Sequence, residues 1–454
     1  MTHHILSKST FMYGQQCPKR LFLHKFEREL RNPVTEAQQN VFATGTNAGI
    51  LAQDLFPGGV NAEPETPYEF HISVQKTKEF IAAGETIIYE AAFNYEGVLC
   101  AIDLLVKMDD GWHAFEVKST NSAKSPHIQD AALQYYVMTN CGLDLKNISI
   151  VHFDKEYVRR GEIDVQSLFQ KSPILEPVIE LQEFISAKAK ELKELVMNRI
   201  EPDISPGDHC SKPYECDFTN HCWKNLAEPA PKDYGNEKIY PEDLKTFMES
   251  LNYPLYFFDF ETVAYGVPEY DESRPYQGVP FQFSLHVIDE PGSEIRHIEY
   301  LGNGVEDPRP ALIDSMIENM GRTGTVLVWY RPFEFGKISQ LAIDYPQFAP
   351  ELHAIQARLV DLMVPFKKGY YRHPEMKGSS SIKKVLPVLI PELSYDDLNI
   401  GEGGTASLTY SQLPTMDSET REQKILDLLE YCKQDTWAMV RIWEWIGDKL
   451  KGSL

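Results

Sequence analysis

The chain of 454 residues contains no uninterrupted apolar run of membrane-spanning length, and its opening, MTHHILSKSTFMYGQQ, lacks the apolar segment of a secretion signal. Both absences point to a cytoplasmic protein. Basic residues are scarce: 44 Lys and Arg stand against 67 Asp and Glu, a formal net charge of −23. A mean field of that sign repels phosphate, so any nucleic-acid recognition must come from local patches rather than long-range attraction. Cysteine is sparse as well, and seven in a chain of this size do not make a disulfide framework. There is no dinucleotide fingerprint, no phosphate-binding loop, no internal repeat and no low-complexity tract.

What is present is a globular composition, 43% hydrophobic and 24% charged, in a chain too long for one core. Two mixed α/β domains are expected. The stretch WKNLAEPAPKDYGNEKIYPED, rich in Pro and Gly, separates two patterned regions, which places domains at 1–225 and 251–454 with a linker over 226–250. The first half reads as helices near 8–30 and 36–54, then strands, then helices near 127–141 and 176–199 with a strand near 147–153. The second half opens with a strand at 255–263 and ends in a helix near 421–449.

Residues 86–120 form three apolar runs separated by Glu96-Gly97 and Asp110-Gly111, each a plausible two-residue hairpin turn. Counting outward from those turns places Asp103 opposite Lys118 and Glu90 opposite Asp103. Glu116 shares the face of Lys118, so all four charges converge on one side of the sheet. A solvated polar face is the plain explanation. The alternative is a phosphodiesterase centre in which Asp103 and Glu116 hold Mg²⁺ or Mn²⁺, Glu90 completes the site and Lys118 orients water.

In the second half, YFFDFETV places Asp259 and Glu261 at i and i+2 on one face of a strand whose phenylalanines argue for burial. Unpaired carboxylates there cost several kcal/mol each. A bound cation removes the objection. Far downstream, LLEYCKQDTWAMVRIWEW is an amphipathic helix with Tyr431 and Asp435 four residues apart on one face. Between them a basic stretch collects Lys367, Lys368, Arg372, Lys377, Lys383 and Lys384 among Gly and Ser, either as a solvated loop or as a phosphate-binding patch.

Three cysteines, Cys210, Cys216 and Cys222, crowd into one loop, and Cys17 precedes Pro18 far upstream. Their spacing does not match paired structural-zinc knuckles, and by spacing alone zinc and an iron–sulfur cluster are comparable. His209 and His221 flank the trio as substitute ligands or bystanders.

Through AID at 101–103 and EVK at 116–118, the first domain resembles the RecB-like branch of the PD-(D/E)XK nucleases. That resemblance implies a restriction-endonuclease-like core. The family's metal-binding His would fall in GTNAG at 45–49, where Gly49 stands instead, and its Gln-x-x-x-Tyr helix is represented by Gln134 with Met138 in the Tyr position. One early and three late cysteines around such a core resemble nucleases of the AddB and CRISPR-adaptation type, which implies a [4Fe–4S] cluster on Cys17, Cys210, Cys216 and Cys222.

The strand pair Asp259/Glu261 and the helical Tyr431/Asp435 resemble motifs I and III of DnaQ-like 3′–5′ exonucleases, on an RNase H-like fold. The resemblance implies a motif II at Phe333-Glu334, with Asp361 as the alternative ligand, and Tyr431 as the residue that orients water. It also implies a substrate phosphate held by Ser381, Lys383 and Lys384 at a helix start. The whole chain resembles a bacterial two-module nuclease family. The expected partner is nucleic acid, DNA before RNA, and the rival expectation is a nucleic-acid sensor or assembly subunit that has lost cleavage.

Overall fold

The computed structural model describes residues 5–66, 68–224, 232–395 and 398–452, without the side chains of 36, 37 and 40–43. It divides into two compact units, Met1–Ala227 and Glu228–Leu454. Residues 225–231, part of the expected linker, lie outside the described residues. Near the end of that stretch, Pro241–Glu249 form the helix α7 discussed below.

The first unit opens with β1 (Leu6–Ser7), α1 (Lys8–Gln16), α2 (Pro18–Phe26), α3 (Glu36–Ala52), β2 (Val60–Asn61) and α4 (Phe70–Ala83). A meander of β3 (Ile87–Tyr95), β4 (Val98–Met108) and β5 (Gly111–Lys118) follows. It leads into α5 (Ser125–Asn140), β6 (Leu145–Phe153), β7 (Phe169–Pro173) and α6 (Gln182–Asn198). The sheet order is β2-β3-β4-β5-β6-β7, with β1 paired in parallel to β4. Helix α5 crosses from β5 to the parallel β6, and its Ala131, Ala132, Leu133 and Val137 pack with Ile102, Leu105 and Ile148 in one core.

Two expected helices are broken. The 8–30 helix is interrupted at Cys17, which is extended at φ −157° because Pro18 opens α2 and disfavours helical backbone in the residue before it. The 176–199 helix divides at Leu181 into 175–180 and α6.

The first hairpin turns at Glu96-Gly97 as expected, with φ of +45° and +82° and Tyr95 facing Val98. The second does not turn at Asp110-Gly111. Met108 pairs with Gly111 and Leu104 with Phe115, so Asp109-Asp110 form the turn and Asp103 lies level with Glu116, two residues from the expected Lys118. Gly111 is a glycine for another reason: a Cβ there would fall 2.7 Å from the Lys146 side chain and 3.0 Å from the Asp144 carbonyl, where β5 starts against β6. A slip of two preserves the alternation of faces, so the charged face survives the altered register.

The first half of the second unit includes α7 (Pro241–Glu249), β8 (Leu255–Val263), β9 (Val279–Ile288), β10 (Arg296–Leu301), α8 (Arg309–Asn319) and β11 (Thr325–Val328). It continues with α9 (Arg331–Asp344), β12 (Leu359–Asp361), α10 (Ile382–Leu389), α11 (Gly403–Gln412) and α12 (Ser418–Gly452). Leu244 of α7 is fully buried in this unit's core. The sheet order is β10-β9-β8-β11-β12; β9 runs antiparallel to both β8 and β10, and β8, β11 and β12 run parallel.

Alternation along β8 builds the site. Tyr256, Phe258 and Phe260 pack on one side with α8 and α9 residues such as Leu312, Met316 and Ile338. Phe257 points to the other side, among Leu428, Ala438 and Met439 of α12. Each fully buried Phe contributes roughly 1.5–3 kcal/mol. Asp259 and Glu261 share the parity of Phe257, so the same burial that fixes the strand directs both acids toward α12.

Candidate metal centres

In the second unit Asp259, Glu261 and Asp435 each offer a carboxylate oxygen within 4.8 Å of the others, the one such group among the described residues. Asp435 reaches this point from α12, where it lies four residues after Tyr431, itself buried beside the acids. Burial first, and then mutual repulsion, raise the acids' proton affinity. Asp259 is pushed well above its ordinary value by burial, Asp435 and Glu334, and Glu261 rises to about 8 by burial and Asp435. Asp435 is pushed up by burial only to about 6, because Tyr395, Lys383 and Tyr431 stabilise its charged form. The Tyr395 hydroxyl donates to Asp435 Oδ1 at 2.6 Å.

Glu334 lies in the first turn of α9, 3% exposed, close enough to raise Asp259. Burial and the neighbouring Asp361 lift it to about 8, and its Oε2 has no hydrogen-bond partner among the described residues. It does not join the tight trio. Asp361, the alternative ligand, is occupied otherwise: it accepts from the amides of Arg331 at 3.3 Å and Met363 at 3.0 Å, capping the chain beside α9.

The residues expected to hold phosphate separate. Ser381 and Lys384 are exposed around the start of α10. Lys383 instead turns into the acid site, donating to the Gly401 carbonyl at 2.5 Å and lying 5.6 and 5.9 Å from the rings of Tyr395 and Tyr431. In the same basic stretch Lys367 and Lys368 cover the rings of Tyr330 and Tyr370. Helix α11 starts beside Glu261, since a Cβ on Gly403 would lie 3.4 Å from Glu261 Oε2.

In the first unit the converging charges form a closed network rather than an open acid cage. Glu116 Oε1 accepts from Lys118 at 2.8 Å and from Lys8 at 2.6 Å, while Oε2 accepts from Gln134 at 2.5 Å. Lys118 also pairs with Asp130 at 2.6 Å. Asp103 accepts from the Val117 amide at 2.5 Å. Burial alone raises Glu116, but the two lysines overcome it and hold its carboxyl below the ordinary range. Asp103 is pushed well up by burial and by Glu116, and Glu90 to about 7 by burial, Glu116 and Glu63. Glu90 stands mid-strand at φ +53°, where the β3–β4 pairing skips it. That conformation costs a side-chain-bearing residue about 1–2 kcal/mol.

Gly49 does not mark this site: nothing lies within 4 Å of a Cβ placed there. A Cβ at Gly45 would come within 4.0 Å of Ser119 Oγ, next to Lys118. Met138 is a buried core residue, so the Tyr position of the expected helix motif is filled by packing.

Cys17, Cys210, Cys216 and Cys222 are all free thiols lining one small cavity, which His209 borders and His221 does not. Burial raises the Cys216 thiol to about 11. The loop is clamped to α2 and the turn after it through Asp217, which pairs with Arg20 at 2.8 Å and Arg31 at 2.6 Å. No three of the four sulfurs meet the 4.8 Å closeness of the acid trio.

Residues 256–381 match the family model described as a domain of unknown function, DUF2779. The DUF2779 match takes in Asp259, Glu261 and Glu334 but ends before Lys383, Tyr395 and Asp435. The chain is 27% identical over 230 residues to the uncharacterized protein MG366 homolog of Mycoplasma pneumoniae, covering 46% of this chain and 34% of that protein. It is 26% identical over 284 residues to uncharacterized protein MG366 of Mycoplasma genitalium, 58% of this chain and 41% of that one. A protein of Ureaplasma parvum, UU173, matches at 26% over 230 residues, 45% of this chain and 33% of its own length. The chain therefore spans well under half the length of these curated relatives. No solved structure matches it. Among the described residues no helix is long and apolar enough to cross a membrane.

Three site residues escaped the sequence reading. Asp130 was legible, since it stands one helical turn before Gln134 on the same face of α5. Lys8 and Tyr395 carried no comparable signal.

Proposed function

We propose that the second unit is a metal-dependent phosphodiesterase that removes nucleotides from a 3′ end of nucleic acid, on an RNase H-like fold. The observation that carries this reading is the close carboxylate trio Asp259, Glu261 and Asp435, half-buried to buried and without an ion-pair partner among the described residues. Three like charges so placed are costly without a cation, and an all-oxygen donor set suits Mg²⁺ or Mn²⁺. The buried, unpartnered Glu334 Oε2 fits the same expectation. The sheet order, with the acid-bearing β8 at its centre, agrees with the fold.

In this reading Asp259, Glu261 and Asp435 hold the ion and Glu334 completes its surroundings. The bound metal supplies Lewis acidity at the phosphoryl oxygen and lowers the pKa of the attacking water. Tyr431 orients that water, Tyr395 fixes Asp435, and Lys383 offsets the charge of the substrate phosphate.

For the first unit we propose a second nuclease centre on a restriction-endonuclease-like core, supported by the meander, α5 and parallel β6 around Asp103, Glu116, Lys118 and Gln134. Asp103 and Glu116 would hold Mg²⁺ or Mn²⁺ there, with Lys8 and Lys118 beside them to offset negative charge. The four cysteines hold a [4Fe–4S] cluster in this reading. Zinc requires sulfurs about 3.8 Å apart for Zn–S bonds of about 2.3 Å, closer than any three of these thiols stand, whereas an iron–sulfur cluster tolerates wider placement.

The test is Mn²⁺-dependent hydrolysis of the p-nitrophenyl ester of thymidine 5′-monophosphate. Release of nitrophenolate that is lost in Asp259→Asn and kept in Asp103→Asn is expected. No release by the wild type, with oligonucleotide binding intact, overturns the enzyme reading in favour of a sensor or assembly subunit. For the cluster, visible absorbance that disappears in Cys216→Ser is expected, and a colourless zinc-containing wild type contradicts it.

A further inference from the structure

The first unit contains a cleft of about 1180 Å³ that the charged network does not fill. One wall is the outer face of α4, where His71, Val74, Gln75 and Lys78 follow helical spacing. The other is the end of α2 and the turn after it, with His24, Lys25 and Arg28. Its floor reaches Lys8, Glu90 and Asp103, so the cleft leads to the acids of the proposed cleavage centre.

Of the cations lining the cleft, Lys8 is held by Glu116 at 2.6 Å and Asp130 at 3.5 Å. Among the described residues Lys25, Arg28 and Lys78 form no ion pair, and Lys25 is half-buried with its proton affinity lowered by burial alone. The acids lining the cleft are Glu90, Glu96 and Asp103; Glu96 pairs with Lys193 at 3.3 Å and the other two belong to the proposed cleavage centre, which leaves Lys25, Arg28 and Lys78 as the cations without an acid partner on its walls. At the rim, Tyr68 is 84% exposed, an aromatic ring with little protein to cover it.

We propose that this cleft binds single-stranded nucleic acid, its phosphates on Lys25, Arg28 and Lys78 and a base stacked on Tyr68, and leads the strand to Glu90 and Asp103. Spaced cations with an interposed aromatic ring are the chemistry of single-strand recognition: charges track the backbone, and a ring accepts any base face. A rigid duplex keeps its bases stacked inside and leaves Tyr68 unused. The role of the cleft as a substrate path rests on the nuclease reading of the first unit, but its binding chemistry does not, and the two are separable in a chelator.

The experiment uses the full chain in EDTA, where no metal-dependent cleavage proceeds. A single-stranded oligonucleotide carrying 5-iodouracil is irradiated and the crosslinked peptides are mapped, and affinity is measured by fluorescence anisotropy across salt concentrations. A crosslink at Tyr68 is expected. The variant Lys25→Ala/Arg28→Ala/Lys78→Ala is expected to lose that crosslink, to bind at least tenfold more weakly and to show a salt slope shallower by about 2. Tyr68→Ala is expected to bind roughly fivefold or more weakly with its salt slope unchanged. Crosslinks confined to residues beyond 228, an unaltered salt slope in the triple variant, or equal competition by duplex DNA or heparin overturns the proposal. If both variants behave as expected while the wild type with Mn²⁺ cuts nothing, the binding site stands and the nuclease reading falls.

Discussion

Tyr395 donates its hydroxyl hydrogen to Asp435 across 2.6 Å, joining an irregular segment of the second unit to the helix that completes the acid trio. Burial lifts the Asp435 carboxyl, and Tyr395 is the foremost group that pulls it back, to about 6. Asp435 is thus kept mostly ionised at neutral pH where Glu261 is not. Replacing Tyr395 by Phe removes a hydrogen bond to a charged group, worth about 1.5–3 kcal/mol. Mn²⁺ affinity measured by electron paramagnetic resonance is expected to fall tenfold to a hundredfold, with the circular dichroism spectrum unchanged. Unaltered affinity contradicts this role for Tyr395.

The acid trio and the first unit's network respond to neutralisation with opposite signs. In the second unit Asp259→Asn removes one of several crowded carboxylates that no cation reaches within ion-pair distance among the described residues. In chelator the variant is expected to unfold at a higher temperature than the wild type, by the equivalent of about 1–3 kcal/mol, while Mn²⁺ no longer protects it. A site that gains stability when disabled is one whose composition serves binding.

Glu116→Gln in the first unit is expected to do the reverse. It leaves the half-buried side chains of Lys8 and Lys118 with a weaker partner at the buried Glu116 position, and breaking one side of a buried ion pair costs about 3–5 kcal/mol. Asp130 retains contacts with both lysines, which places the loss at the lower end of that range. Differential scanning calorimetry reads the shift directly.

The raised proton affinities set a pH dependence. Glu261 and Glu334 titrate at about 8 and Asp435 at about 6, all above their unfolded values. Groups of this kind contribute stability that is fully present below about pH 4.5 and lost as the pH climbs through 6 to 8. At about 1.4 kcal/mol for each tenfold change in proton affinity, the loss is on the order of a few kcal/mol per glutamate. Glu116, shifted the other way, loses its contribution only when the pH falls below the ordinary carboxylate range. Melting in chelator is therefore expected to be lower at pH 8 than at pH 6, with the difference reduced by Mn²⁺.

Much of the second unit was legible because one pattern served two purposes. The alternation of rings and acids along β8 states both the span 255–263 and the face that carries Asp259 and Glu261. The first unit was legible only to within a register. Gly111 reads as a turn residue, yet it is required by the close approach of β5 to residues 144–146, a long-range contact that no local pattern carries. Lys8 reaches Glu116 from the start of α1, which follows the two-residue pairing of β1 with β4, too short to leave a periodic signal. Tyr395 lies outside regular structure, where spacing says nothing about direction.

The central claim is that Asp259, Glu261 and Asp435 form a metal-dependent centre that shortens nucleic acid from its 3′ end. The direct measurement is gel analysis of a 5′-labelled single-stranded oligonucleotide incubated with Mn²⁺ and either the wild type or Asp259→Asn, each combined with Asp103→Asn to silence the first unit. The account predicts a ladder of progressively shorter labelled products from the Asp103→Asn protein and none from the double variant. An intact oligonucleotide in both lanes, or the same ladder in both, contradicts it.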